Sequence, residues 1–203
     1  MAASLLAAGC SGGESRREEA PKGWAVCNEF LGVESINALD EQMGEGVLRI
    51  ENQLVSVDDT GRWMASMARS WEPGSTAHWS NRNKPCAIAL EGTRQEFVSE
   101  VGWSVSSFAD LKSVREPRGW RSVGGDVFTY EEADGRTLVA AFPCEVPDAG
   151  EQQEAGLPME VRVSGRAIPG FKDHLRGTLA SALARTMSGA LGCVNAPLIP
   201  EEL

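Results

Sequence analysis

The cysteines constrain this chain more than any other feature of its sequence. There are five, and setting Cys10 aside leaves an even set of four that lie far apart: Cys27, Cys86, Cys144 and Cys193. None of these four has a second cysteine or a histidine at the spacing of roughly two to four residues that zinc sites use. An even set of distant cysteines is typical of disulfides in an oxidising compartment. The alternative is a cytosolic protein with four buried, reduced thiols.

Four cysteines allow three pairings, and the sequence alone does not choose among them rigorously. We favour Cys27 with Cys86 and Cys144 with Cys193, because each bridge then joins the end of a predicted helix to the end of a predicted strand. The main alternative joins Cys86 to Cys144 and Cys27 to Cys193, since the termini of a domain often lie close together.

The residues that end at Cys10 resemble a lipobox, the motif at which a signal peptidase cuts just before a lipid-modified cysteine. They read Leu6-Ala7-Ala8-Gly9-Cys10. The segment that follows, residues 11–21, is rich in Gly, Ser, Glu and Arg, a composition typical of a flexible, solvated tether. A tether directly after an anchor cysteine is the order expected of a lipoprotein.

The segment before Cys10 departs from an ordinary export signal. Such signals have a basic start and an apolar run of about 7 to 15 residues, whereas residues 1–9 contain no Lys or Arg. Either the native start lies upstream, or the segment has been trimmed, or the lipobox match is accidental. We interpret residues 1–9 as a partial signal peptide, residues 10–23 as the lipidated cysteine and its tether, and residues 24–203 as a single globular domain.

The net charge of the chain limits the classes of partner that it is expected to bind. Its 29 acidic and 19 basic side chains give a formal net charge of -10, which repels nucleic acids and anionic lipid headgroups. No internal stretch is long and apolar enough to cross a bilayer. We therefore expect an extracytoplasmic protein whose membrane attachment, on the outer face of the cell membrane, depends on the lipid at Cys10.

Three segments have the apolar spacing of amphipathic helices. The first covers residues 27–44. The second starts at a cap provided by Asp58, Asp59 or Thr60 and carries a stripe that we interpret as core: Trp63, Met64, Met67 and Trp71. The third runs from Pro169 to Leu191, with an apolar side chain at every fourth residue from Phe171 onwards.

Strand patterns fill the middle of the chain. They predict a first hairpin of residues 86–90 with 95–105 and a second hairpin of residues 126–131 with 136–144. An exposed acidic loop at 147–158 and a further strand at 159–163 follow. This order of elements predicts an α+β fold. We expect an antiparallel sheet of about five strands, packed by helices on one face and held by two disulfides.

Four short segments carry a resemblance to a known family. They are Cys27-Asn28-Glu29-Phe30-Leu31, the strand opening at Cys86, Phe142-Pro143-Cys144, and Leu191-Gly192-Cys193. Their placement resembles that of a family of small, uncharacterised, secreted actinobacterial lipoproteins. The resemblance covers nearly the whole mature chain, and it implies export and lipidation but no catalytic residue.

Candidate groups for chemistry are few. The chain has two histidines, His78 in a polar segment and His174 near the start of the last helix, and either of them offers a base for a cell-surface hydrolase. No nucleophile elbow, phosphate loop or dinucleotide motif accompanies them. We therefore predict a non-enzymatic binding or envelope-associated module without metal or cofactor, and keep the hydrolase as the alternative.

A basic cluster stands out in this acidic chain. Arg115, Arg118 and Arg121 surround Trp120, and guanidinium groups suit anionic ligands such as a cell-wall polymer or a partner's carboxylate. Local salt bridges are the alternative use of these three side chains.

Overall fold

Helices and strands are interspersed along the chain in the computed structural model. The structure describes residues 23–51, 55–74, 82–113, 119–172 and 174–203. In these ranges the helices are α1 (Trp24–Leu31), α2 (Val33–Met43), α3 (Val57–Arg69), α4 (Phe108–Lys112), α5 (Gln153–Gly156) and α6 (Leu175–Leu191). The strands are β1 (Leu48–Ile50), β2 (Asn83–Leu90), β3 (Glu96–Trp103), β4 (Arg121–Gly124), β5 (Val127–Glu131), β6 (Thr137–Phe142) and β7 (Met159–Arg166).

The strands form one antiparallel sheet in the order β1-β2-β3-β7-β6-β5-β4. The α+β fold and both hairpins are thus confirmed. The sheet has seven strands in the described residues rather than about five. The two additional strands, β1 and β4, are three and four residues long and lie at the edges, where few side chains are buried and the sequence pattern is weak.

Helix α6 is the centre of the core. It packs against α1, α2 and α3 on its outer side and against β6 and β7 of the sheet. All six side chains of its four-residue repeat are buried, as the periodicity predicts: Phe171, Leu175, Leu179, Leu183, Met187 and Leu191. The helix begins at Leu175 rather than at Pro169, because the residues after Pro169 form turns. It ends at Gly192 in the left-handed conformation (φ 63°), which glycine adopts without steric cost.

The predicted first helix is two helices. Gly32 breaks it with φ 81° and ψ 145°, a backbone conformation that is outside the helical region and is accessible mainly to glycine. Apolar side chains on both sides of the break face the same core: Phe30, Leu31, Ile36 and Leu39. The continuous apolar spacing therefore hid the change of direction.

Both predicted disulfides are present with the favoured pairing. Cys27 of α1 is bonded to Cys86 of β2, and Cys144, just after β6, is bonded to Cys193, just after α6. The Cα atoms are 5.0 Å apart in each pair. Each bridge fastens a helix to the sheet from a distant part of the chain, with separations of 59 and 49 residues.

The main helices pack on one face of the sheet, and one short helix lies on the other. Leu111 of α4 belongs to a second, smaller apolar cluster with Phe128 and Ala141, against which Phe108 and Trp120 pack. Strand neighbours of these residues, Val127 and Ala140, belong to the main core. Because side chains alternate along a strand, the second cluster covers the opposite face at the β5–β6 end.

The acidic segment 147–158 was predicted as an exposed loop, and this is wrong for its second half. It contains the short helix α5, whose first residue, Gln153, is buried. The Gln153 amide accepts a hydrogen bond from the Val146 N–H (3.0 Å) and donates one to the Leu157 carbonyl (3.3 Å). A buried amide satisfied by backbone groups holds the segment against the domain.

No helix among the described residues has the length and apolar character needed to span a membrane.

Candidate functional site

An open groove of about 410 Å³ lies where α3 meets the beginning of β2. Among the residues that the structure describes, its walls contain one aromatic side chain, two charged side chains and three smaller ones: Trp63, Asp59, Arg82, Val55, Thr60 and Asn83. This volume falls in the range of small-molecule sites, and such sites typically combine apolar surface with a few placed polar groups.

The start of α3 fixes one wall of the groove. Ser56 caps the helix, because its Oγ accepts a hydrogen bond from the Asp59 N–H (3.1 Å). The predicted caps at Asp58, Asp59 or Thr60 are therefore wrong, and the helix begins about one turn earlier. The Asp59 carboxylate in turn accepts from the Ser56 hydroxyl (2.8 Å) and pairs with Arg62.

The stripe of Trp and Met on α3 is core, with one exception. Met64, Met67 and Trp71 are buried, whereas Trp63 is 38% exposed. Trp63 lies one turn after Asp59, on the exposed side of the helix and not on its apolar side. The indole is thus part of the groove surface instead of the interior.

Arg82 lines the groove just before β2 and is held by an ion pair. Its guanidinium donates to the Glu160 carboxylate over 2.7 Å, and Glu160 is only 2% exposed although it is a charged residue. In the sheet, Glu160 of β7 stands between Gly102 of β3 and Ala141 of β6. These small neighbours leave room for the carboxylate above the sheet.

Glu160 is one member of an ion-pair cluster centred on Arg162, which we call the Arg162 cluster: Glu100, Glu132, Glu160 and Arg162. Arg162 lies 3.3 Å from Glu100 and 3.6 Å from Glu160, and it also pairs with Glu132. Burial by itself lowers the pKa of the Arg162 guanidinium, but attraction to Glu132 and Glu160 outweighs it, so this pKa is above its ordinary value. Arg162 therefore holds three carboxylates in place as a permanent cation.

The charges around the groove are balanced in pairs. Asp59 is neutralised by Arg62, and Arg82 is neutralised by Glu160. The Asn83 amide donates a hydrogen bond to the Thr60 hydroxyl (3.2 Å). Within the described ranges, no group of three or more His, Cys, Asp and Glu side chains is arranged to hold a metal ion. The described charged side chains of the groove are therefore paired within the protein.

The sequence-predicted histidines do not belong to this groove. His174 is exposed at the N-terminal end of α6, and its Nδ1 lies 3.0 Å from a Glu202 oxygen. Among described residues, no hydroxyl or thiol is bonded to the His174 ring. His78 lies outside the described residues, so the hydrolase alternative stays a prediction.

The predicted anion site is described only in part. Arg121 is exposed in the edge strand β4, and its neighbour Trp120 packs edge-on against Tyr130 with ring centroids 4.5 Å apart. Arg115 and Arg118 lie outside the described residues, as does Cys10. The basic cluster and the lipidation site therefore remain predictions.

The sequence did carry a signal for the exposed indole. Positions 60, 64, 67 and 71 form the buried stripe of α3, and Trp63 falls outside that spacing, together with Asp59 and Arg62. Its residue type favoured core, but its helical position favoured the surface. Arg82 and Glu160, which form an ion pair, are 78 residues apart in the sequence, and no local sequence pattern predicts this contact.

The chain matches no known family model, no curated protein and no solved structure.

Proposed function

We propose that this chain is an extracytoplasmic lipoprotein that is tethered through Cys10 to the outer face of a membrane and whose α+β domain binds a ligand without transforming it. The two disulfides are the observation that carries this proposal. They use all four domain cysteines, which leaves Cys10 with no partner in its own chain. Disulfides that close long loops in a domain of this size favour an oxidising compartment, and a leftover cysteine within a lipobox favours lipidation.

Binding is favoured over catalysis by the groove beside Trp63. Its charged side chains are engaged in ion pairs, and the described residues place no activated nucleophile there. The resemblance to secreted actinobacterial lipoproteins supports the same location and stays a prediction.

Replacing Cys10 by alanine should release the protein from the membrane. Expressed in a bacterium behind a complete export signal, the wild type is expected in the membrane fraction and Cys10→Ala in the soluble extracytoplasmic fraction, because lipid chains supply the only attachment proposed here. Ser15→Ala, a change of similar size in the tether, should remain in the membrane fraction. Equal membrane association of wild type and Cys10→Ala would refute the lipid anchor.

A further inference from the structure

Trp63 is the most exposed tryptophan that the structure describes. Trp24, Trp71 and Trp103 belong to the core, and Trp120 packs against Tyr130. A single exposed aromatic residue needs no explanation by itself. Trp63, however, lines a groove together with hydrogen-bonding groups, among them Asp59 one turn before it on α3 and Arg82 just before β2. An exposed indole beside polar groups in a groove is a surface for a ligand with one apolar side and one polar side.

Arg82 supplies a hydrogen-bonding group to the groove, and its ion pair with Glu160 fixes the orientation of that group. The carboxylate that holds it, Glu160, is buried, and taking a carboxylate out of water costs several kcal/mol unless partners satisfy it. Here the partners are Arg82 and Arg162. The contact with Glu160 uses one guanidinium nitrogen of Arg82, and a guanidinium has further N–H groups that can donate to a ligand.

The balance of charge selects an uncharged ligand. Each charged side chain that the structure describes at the groove already has an opposite charge beside it, through the pairs Asp59–Arg62 and Arg82–Glu160. A charged ligand would compete with these pairs, and the net charge of -10 further disfavours an anion. Hydroxyl groups, by contrast, accept from an arginine and donate to an aspartate without breaking an ion pair.

We propose that this groove binds a neutral pyranose unit of an oligosaccharide, with the C–H face of the sugar on the Trp63 ring and its hydroxyl edge on Arg82 and Asp59. A pyranose ring combines these two surfaces in one small unit. Glu160 is a positioning residue, since it holds the guanidinium of Arg82. This inference rests on the proposed binding function and names its ligand class.

The test uses the full chain carrying Cys10→Ala, so that the protein is soluble whether or not the anchor exists. Cellohexaose, maltohexaose and chitohexaose are titrated separately to about 5 mM, a range that detects weak sites. The ¹⁵N–¹H signals of the tryptophan indoles report binding, and the signal missing from Trp63→Ala identifies Trp63. We expect at least one of the three sugars to shift the Trp63 signal saturably.

Variants separate stacking from general surface effects. Trp63→Ala should weaken the binding of that sugar by about tenfold or more, as the loss of an aromatic stacking platform does elsewhere. Arg82→Gln should weaken its binding as well. Val123→Ala, which alters a similarly exposed apolar side chain on β4, should bind like the parent. Circular dichroism should show all three variants folded, because the Trp63 and Val123 side chains are partly exposed and Glu160 keeps Arg162 as a partner in Arg82→Gln.

Three results would overturn the saccharide site. The first is that none of the three sugars binds, and the second is that Trp63→Ala binds a sugar as tightly as the parent does. The third is that the Trp63 side chain captures a polypeptide and no sugar. None of these results affects membrane release of Cys10→Ala, and a failure of the anchor leaves the titration intact, so the two proposals fail independently.

Discussion

Replacing Cys27 and Cys86 together by alanine lowers the free energy of unfolding by about 4 kcal/mol, because the disulfide closes a loop of 59 residues and so restricts the unfolded chain. For a domain of this size that loss lowers the melting temperature by about 10 °C. The measurement is urea unfolding of both proteins without reductant, followed by circular dichroism.

Three comparisons serve as controls for the Cys27 and Cys86 double variant. The pair Cys144→Ala and Cys193→Ala opens a loop of similar length, 49 residues, and should cost a similar amount. Cys10→Ala should leave the unfolding curve unchanged, because Cys10 precedes the domain. A reducing agent should destabilise the parent and leave a chain lacking all four domain cysteines unaffected. Equal stability of the parent with and without reductant would show that the bridges do not hold this fold.

Replacing Arg162 by methionine costs about 3 kcal/mol of unfolding free energy, because it removes one partner from a buried set of ion pairs. The Arg162 side chain is 16% exposed and is shared by Glu100, Glu132 and Glu160. Without Arg162, three carboxylates remain close together. Glu160 still has its ion pair with Arg82, and Glu100 still has a longer one with Lys84. Urea unfolding near neutral pH measures the loss.

Arg166→Met is the matched control. Arg166 lies on the same strand and the same face as Arg162, but it is 54% exposed and pairs with one carboxylate, Glu96. Its loss should cost less than about 1 kcal/mol, as exposed pairs do. Equal costs for the two variants would contradict the structural role of the Arg162 cluster.

The sequence predicts most of the features of this fold that depend on local spacing. The four-residue repeat of α6 faces one direction over its whole length, so its burial follows from helix geometry. Both hairpins have alternating side chains and turn residues close together in the chain. The disulfide pairing followed from placing each cysteine at an element end. The helix break at Gly32 was not predicted, because the apolar residues on either side of it continue the same spacing.

The candidate site depended on contacts that no local pattern reveals. The members of the Arg162 cluster come from β3, β7 and the residue after β5, and their meeting follows from strand order and register. Arg82 reaches Glu160 from the beginning of β2. Trp63 alone was within reach of sequence analysis, through its position on the α3 wheel, but its residue type pointed to the core.

Export and lipidation at Cys10 together form the central claim, and the intact mass of the protein tests it most directly. The protein is extracted with detergent from membranes of its native host, without reductant. We predict a chain that begins at Cys10, carries a diacylglyceryl group, and has four hydrogens fewer than its reduced form, two for each disulfide. A chain with an unmodified Cys10 and four free thiols in the domain would contradict the claim.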